Sequence, residues 1–179
     1  MNIIPVESPG VRVTSKFGMR TIFGKRSMHN GIDLVGDPNT RNEPILCIAD
    51  GVVTAVRTSG SMGGPMCWVR IKHENGLQTA YMHQQTNTIT QKIGDTVYAG
   101  DRLGLIGTTG QSTGVHLHFQ IDRGSSATAI DPWNYLFSGE ELFHIKNRCS
   151  ILTGDNLNAK ERNGHAGRIE GNRGTGTSE

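Results

Sequence analysis

Gly114-Val115-His116-Leu117-His118-Phe119-Gln120 sets two histidines one residue apart among apolar neighbours. Such a run predicts a β-strand, and strand side chains alternate between faces. His116 and His118 therefore share one face, while Leu117 and Phe119 turn the other way, into a core. Two imidazoles side by side are costly to arrange for packing alone. Together they can serve one metal ion or one reacting group.

The surrounding chain reads as a turn-rich β protein. It has 179 residues, 24 of them glycine, with 6% aromatic content and only short apolar runs. That pattern favours strands and turns over helices, and the length suits one domain with an attached tail, or one large domain. A net charge of +2 offers no basic surface for nucleic acid. No run is long enough to span a bilayer, and Met1-Asn2-Ile3-Ile4-Pro5 is not a basic-then-apolar leader, so export by the usual route is not expected unless the chain is a processed form. Cys47, Cys67 and Cys149 are odd in number and irregularly spaced. Free thiols are expected, with Cys47 and Cys67 as small buried hydrophobes.

Val11 and Val13 alternate in a short strand, after which Phe17-Gly18-Met19-Arg20 turns. Residues 29–35 read as extended, with Gly31 arguing against a helix interior. Positions four apart on a strand share a face, so His29 and Asp33 can converge. Residues 44–49 and 52–56 read as strands joined by a hairpin at Asp50-Gly51, and 66–73 and 77–83 as a second hairpin around Asn75-Gly76. Segments 21–28 and 59–65 read as loops and 84–91 as a crossover. Two glycine-punctuated elements, 93–100 and 101–107, precede the loop 108–114 that feeds the histidine strand. Asp131 caps and Pro132 opens a short helix. The composition changes at about Ser138, and 153–179 has too little to bury to offset its ordering entropy, so it reads as a flexible tail.

Of seven histidines, His29, His83, His116 and His118 fall in or beside strands. His73, beside a hairpin turn, reads as exposed; His144 and His165, in or near the tail, are given no role. Three ligands with a fourth position open describe a catalytic zinc site. His29, Asp33 and one histidine of the 116/118 pair meet that count, and His83 and the other histidine are left beside it. Two uncoordinated imidazoles suit amide hydrolysis. One can take or orient a water proton and the other can donate to the developing oxyanion, while the metal acidifies water and polarises the scissile carbonyl.

In chain order, Gly18-Met19-Arg20, His29-Asn30-Gly31-Ile32-Asp33, Tyr81-Met82-His83, Gly94-Asp95-Thr96-Val97-Tyr98-Ala99-Gly100, Thr109-Gly110-Gln111-Ser112-Thr113-Gly114 and His116-Leu117-His118-Phe119 resemble the motifs of the lysostaphin-type zinc endopeptidases of peptidoglycan, the M23 metallopeptidases. The resemblance runs from about Phe17 to Leu136. It implies a mainly β fold: a two-layer antiparallel β-structure with a groove over one sheet, the lysostaphin-like duplicated hybrid motif. It implies an arm over 1–16, a peptidase domain over 17–137 and a C-terminal extension over 138–179. It implies one Zn2+ per chain held by His29, Asp33 and His118, with His83 and His116 as the catalytic pair, a division that spacing leaves open.

The implied substrate is a peptide bond in the stem or cross-bridge of bacterial peptidoglycan. Loops 21–28 and 59–65 and the crossover 84–91 are the expected groove walls, with Tyr81, Trp68 and Arg20 as groove residues. Many members carry Glu after the His-Phe pair; Gln120 keeps the hydrogen bonding, drops the charge and shares the face of His118. A wall hydrolase without a leader suggests a phage virion or lysis component, or else a protein secreted after processing. Two other readings are a non-catalytic wall-binding or hydrolase-activator module on the same fold, opposed by the full set of ligands and catalytic histidines, and a phosphocarrier, opposed by the His29–Asp33 pair. Oligomeric state is not legible.

Overall fold

Alternating apolar positions become strands wherever glycine, proline or a short polar run does not intervene. The structure, a computed structural model, describes residues 3–22, 24–37, 41–124 and 128–138. These belong to one unit, Met1–Ile145; a second, Lys146–Glu179, lies outside the described residues, as do the expected tail and Cys149, His144 and His165.

The elements are β1 (Gly10–Ser15), β2 (Gly18–Ile22), β3 (Lys25–His29), β4 (Ile32–Asp37), β5 (Pro44–Leu46), β6 (Gly51–Arg57), β7 (Cys67–Lys72), β8 (Leu77–Gln84), β9 (Thr96–Val97), β10 (Arg102–Leu105), β11 (Leu117–Arg123), β12 (Thr128–Ile130) and the single-turn α1 (Trp133–Phe137). An eight-stranded sheet runs β1-β4-β11-β8-β7-β6-β9, with β12 also on β11; β5–β10 and β2–β3 are separate two-stranded sheets. Every strand ladder is antiparallel. β11 joins the two halves of the large sheet. Its Leu117, Phe119 and Ile121 are fully buried in one core cluster with Tyr81, Ile71, Ile45, Leu103 and Tyr135, the Phe119 and Tyr81 rings 5.3 Å apart by centroid. Each such side chain contributes roughly 1.5–3 kcal/mol by leaving water. The opposite face of β11 carries the polar residues.

Several expectations change. Residues 44–49 and 52–56 do not form a hairpin: β5 pairs with β10, and β6 lies between β7 and β9. Asp50-Gly51 instead carries the chain from the small sheet into the large one. Residues 18–29 are not a turn and a loop but the β2–β3 hairpin, with Gly24 at φ +75° in its bend and Gly18 at φ +114°. His29 and Asp33 are not on one strand. His29 ends β3, Asp33 lies in β4, and Asn30-Gly31 breaks the chain between them.

His73 is buried rather than exposed, held by Asp50 O and the Thr79 hydroxyl. Tyr81 is a core residue, not a groove residue: it is fully buried, and its hydroxyl accepts the Ile48 N–H at 3.1 Å. Cys47 and Cys67 are free and buried, as expected. Pro132, expected as the first helical residue, is instead the N-cap of α1, and Asp131 stands one residue before it, its carboxylate accepting the Trp133 N–H at 2.9 Å. Among the described residues no helix is long and apolar enough to cross a membrane.

Candidate metal centre

Strand register builds the site. His118 on β11 stands directly opposite Asp33 on β4 and, on its other side, opposite Met82 on β8. His29 enters from the end of β3. A side chain at Gly31 would drive its Cβ against the Phe119 carbonyl and to 2.8 Å from His118 Nε2, so only glycine lets the chain pass close enough to bring His29 in.

Three donor atoms converge: His29 Nε2 lies 2.9 Å from His118 Nδ1, and each lies 3.0 Å from Asp33 Oδ1. All three residues are buried. His29 Nδ1–H donates to the Lys16 carbonyl at 2.7 Å, so a neutral His29 presents a bare lone pair at Nε2. Two ring nitrogens and a carboxylate oxygen pointing at one spot repel one another unless a proton or a cation sits between them. This is the only such group of three or more His, Cys, Asp or Glu among the described residues. Zinc bonds of about 2.0–2.1 Å place tetrahedral ligands roughly 3.3 Å apart, so the cluster need open by only a few tenths of an ångström. The residues fit a zinc ion.

Electrostatics agree. Burial acts to raise the Asp33 carboxyl pKa, but hydrogen bonds with His118 and His29 and the charges of His116 and His29 outweigh it and hold the group well below the usual carboxylate range. Arg20 NH1 donates to Asp33 Oδ2 at 3.0 Å and to Ser15 Oγ at 2.7 Å.

His83 and His116 stand beside this cluster, their rings 4.7 Å apart by centroid, with His83 6.2 Å from His118. His116 Nε2 is 3.7 Å from Asp33 Oδ1. Simple alternation from Tyr81 would send His83 into the core. A register shift on β7 between Cys67 and Trp68, opposite His83, makes it the extra residue of a bulge, and φ +63° turns it towards the other histidines. Its Nδ1–H donates to Thr109 O at 2.7 Å; Thr109 is itself pinned, its hydroxyl donating to Gln84 O and accepting from Cys67 N–H. His116 Nδ1–H donates to Gly114 O at 2.9 Å. Burial, with nearby His116 and His118, pushes the His83 pKa down to about 4.

All five residues singled out from the sequence thus come together. Arg20 reaches the site through Asp33. The sequence reading missed Ser15 and Thr109 as anchors, and it missed Asp122 and Arg70, which lie behind His118. Alternation from His118 puts Asp122 on the right face; only strand pairing brings in Arg70.

The pattern described as "Peptidase family M23" matches residues 27–132. The chain is 37% identical over 130 residues to the peptidoglycan DD-endopeptidase ShyA of Vibrio cholerae serotype O1, covering 70% of this chain and 28% of ShyA. It is similar to the catalytic domain of the antimicrobial peptidase lysostaphin from Staphylococcus simulans, 30% identical with a TM-score of 0.57, covering 70% of this chain and 91% of that one. It is also similar to a zinc-containing peptidase from Vibrio cholerae, 30% identical with a TM-score of 0.53, covering 67% of this chain and 35% of the other. The match spans about a quarter of the length of the curated relatives.

Proposed function

The chain belongs to peptidase family M23, and on that premise we propose that it is a zinc-dependent endopeptidase cutting peptide bonds in the stem or cross-bridge of bacterial peptidoglycan. The observation that carries the reading is the three-donor cluster with two further imidazoles beside it. His29, Asp33 and His118 would hold the ion, which when bound would supply Lewis acidity to polarise a carbonyl and acidify water. His83 Nδ1–H is spent on Thr109 O, so the neutral ring offers an Nε2 lone pair to receive or orient a water proton. His116 Nδ1–H is spent on Gly114 O; its Nε2 donates to a developing oxyanion only when it carries a second proton. Residues 17–137 form the peptidase domain. It acts at the cell wall, reached as a phage virion or lysis component or after secretion.

The experiment is zinc quantification beside turbidity loss of purified bacterial walls, with and without chelator. Stoichiometric zinc and chelator-sensitive clearing are expected, and product masses then map the bond. No zinc and no clearing, even after zinc is added back, favours the non-catalytic wall-binding or activator module instead. The five retained side chains stand against that outcome.

A further inference from the structure

His118 is held from behind by side chains rather than by backbone. Its Nε2 faces Gln120 Oε1 at 3.5 Å, a long hydrogen bond. Gln120 donates from its own Nε2 to Asp122 Oδ1 at 2.7 Å. A carboxylate only accepts, so this contact fixes which end of the amide is which. The oxygen end is thereby turned to His118. It favours a proton on His118 Nε2 and a lone pair on Nδ1, the atom that faces His29 and Asp33.

Asp122 is fully buried, and Arg70 NH1 lies 3.2 Å from its Oδ2, an ion-pair contact without hydrogen-bond geometry. A carboxylate taken wholly out of water is expensive unless paired, and even a paired one adds little stability over apolar side chains. Its cost is better explained by what it orients. Arg70 on β7 and Gln120 on β11 both stand opposite Ala80 on β8, whose lone methyl group leaves the guanidinium room to reach across the strand.

We propose that Arg70, Asp122 and Gln120 form a positioning relay that sets the orientation and tautomer of His118. The proposal rests on the reading of His118 as a zinc ligand. It makes positions 120 and 122 a unit. Gln120→Glu sets a second carboxylate against Asp122 where an N–H···O bond stood. Adding Asp122→Asn restores one donor facing one acceptor, with a carboxylate oxygen still on His118.

The test is zinc affinity of the full chain by chelator competition, with the melting temperature of the metal-free protein measured alongside. Gln120→Glu is expected to weaken zinc binding by about 10–100-fold, and Gln120→Glu with Asp122→Asn to recover it. A second readout is spectroscopic. In the zinc-bound protein the His118 Nε2–H is expected to give a resolved, slowly exchanging NMR signal in the wild type, and in Gln120→Met, which keeps the shape, that protection is lost. Zinc held by the wild type, lost in His118→Ala and unaffected in Gln120→Glu overturns the relay alone. So does a double variant no better than the single one. A wild type that holds no zinc overturns the metal centre, and the relay with it.

Discussion

Arg20 on β2 and Asp33 on β4 are joined across two separate sheets, NH1 donating to Oδ2 at 3.0 Å. Because Arg20 takes Oδ2, Oδ1 is left to the two imidazoles. Arg20→Met frees the carboxylate to rotate and removes its countercharge. Zinc affinity should fall by about tenfold, and Arg20→Lys, which keeps the charge but not the planar fork, should recover it only in part. Chelator competition measures both.

The five clustered residues should divide into two groups. Asp33→Ala or His118→Ala loses metal and activity together. His83→Ala or His116→Ala keeps zinc and lowers turnover by roughly 100-fold or more. Paired zinc and wall-clearing measurements separate the groups; metal lost from His116→Ala and kept in His118→Ala would reverse the assignment of those two.

His83 sits at φ +63°, a conformation that costs a residue with a Cβ about 1 kcal/mol or more and costs glycine little. Both His83→Gly and His83→Ala lose the bond to Thr109. His83→Gly should nevertheless be the more stable by about 1 kcal/mol in urea unfolding, though inactive. Equal stabilities would mean the backbone there is not strained.

His73 donates its Nδ1–H to Asp50 O and accepts the Thr79 hydroxyl at Nε2, each at 2.8 Å. Burial pushes its pKa below the ordinary histidine value, outweighing the bond and charge of Asp50. The unfolded chain therefore takes up a proton at a pH where the folded chain does not. Stability is full above about pH 6.5, and falls below it until the folded-state pKa is reached. Between about pH 7 and pH 5 the wild type should lose more stability than His73→Gln, read from urea midpoints. An equal loss would place the acid sensitivity elsewhere.

The histidine strand, the Asn75-Gly76 hairpin and the short helix after Asp131-Pro132 were legible because local rules govern them: alternation, turn chemistry and the residues that open a helix. What was not legible depends on partners far along the chain. Asp50-Gly51 has the composition of a hairpin, yet β5 finds a better partner in β10, fifty-odd residues on. His73 looked exposed beside its turn because nothing local reveals that the chain preceding β6 covers it. Tyr81 and His83 lie two apart and should share a face, but the bulge at His83 separates them. The site residues could be chosen from the sequence, whereas the routes by which they meet could not.

β4 and β8 are neighbours in the large sheet only through β11. Both are synthesised well before Leu117–Arg123. Until that strand emerges, a nascent chain carries two half-sheets with open edges, each a template for pairing with another chain. Folding must wait for Asp33 to find His118, 85 residues away, the kind of distant pairing that slows folding. A chain stalled before residue 117 should thus aggregate rather than idle. One late strand inserts between two waiting edges, and the same insertion that closes the sheet delivers the last donor of the cluster.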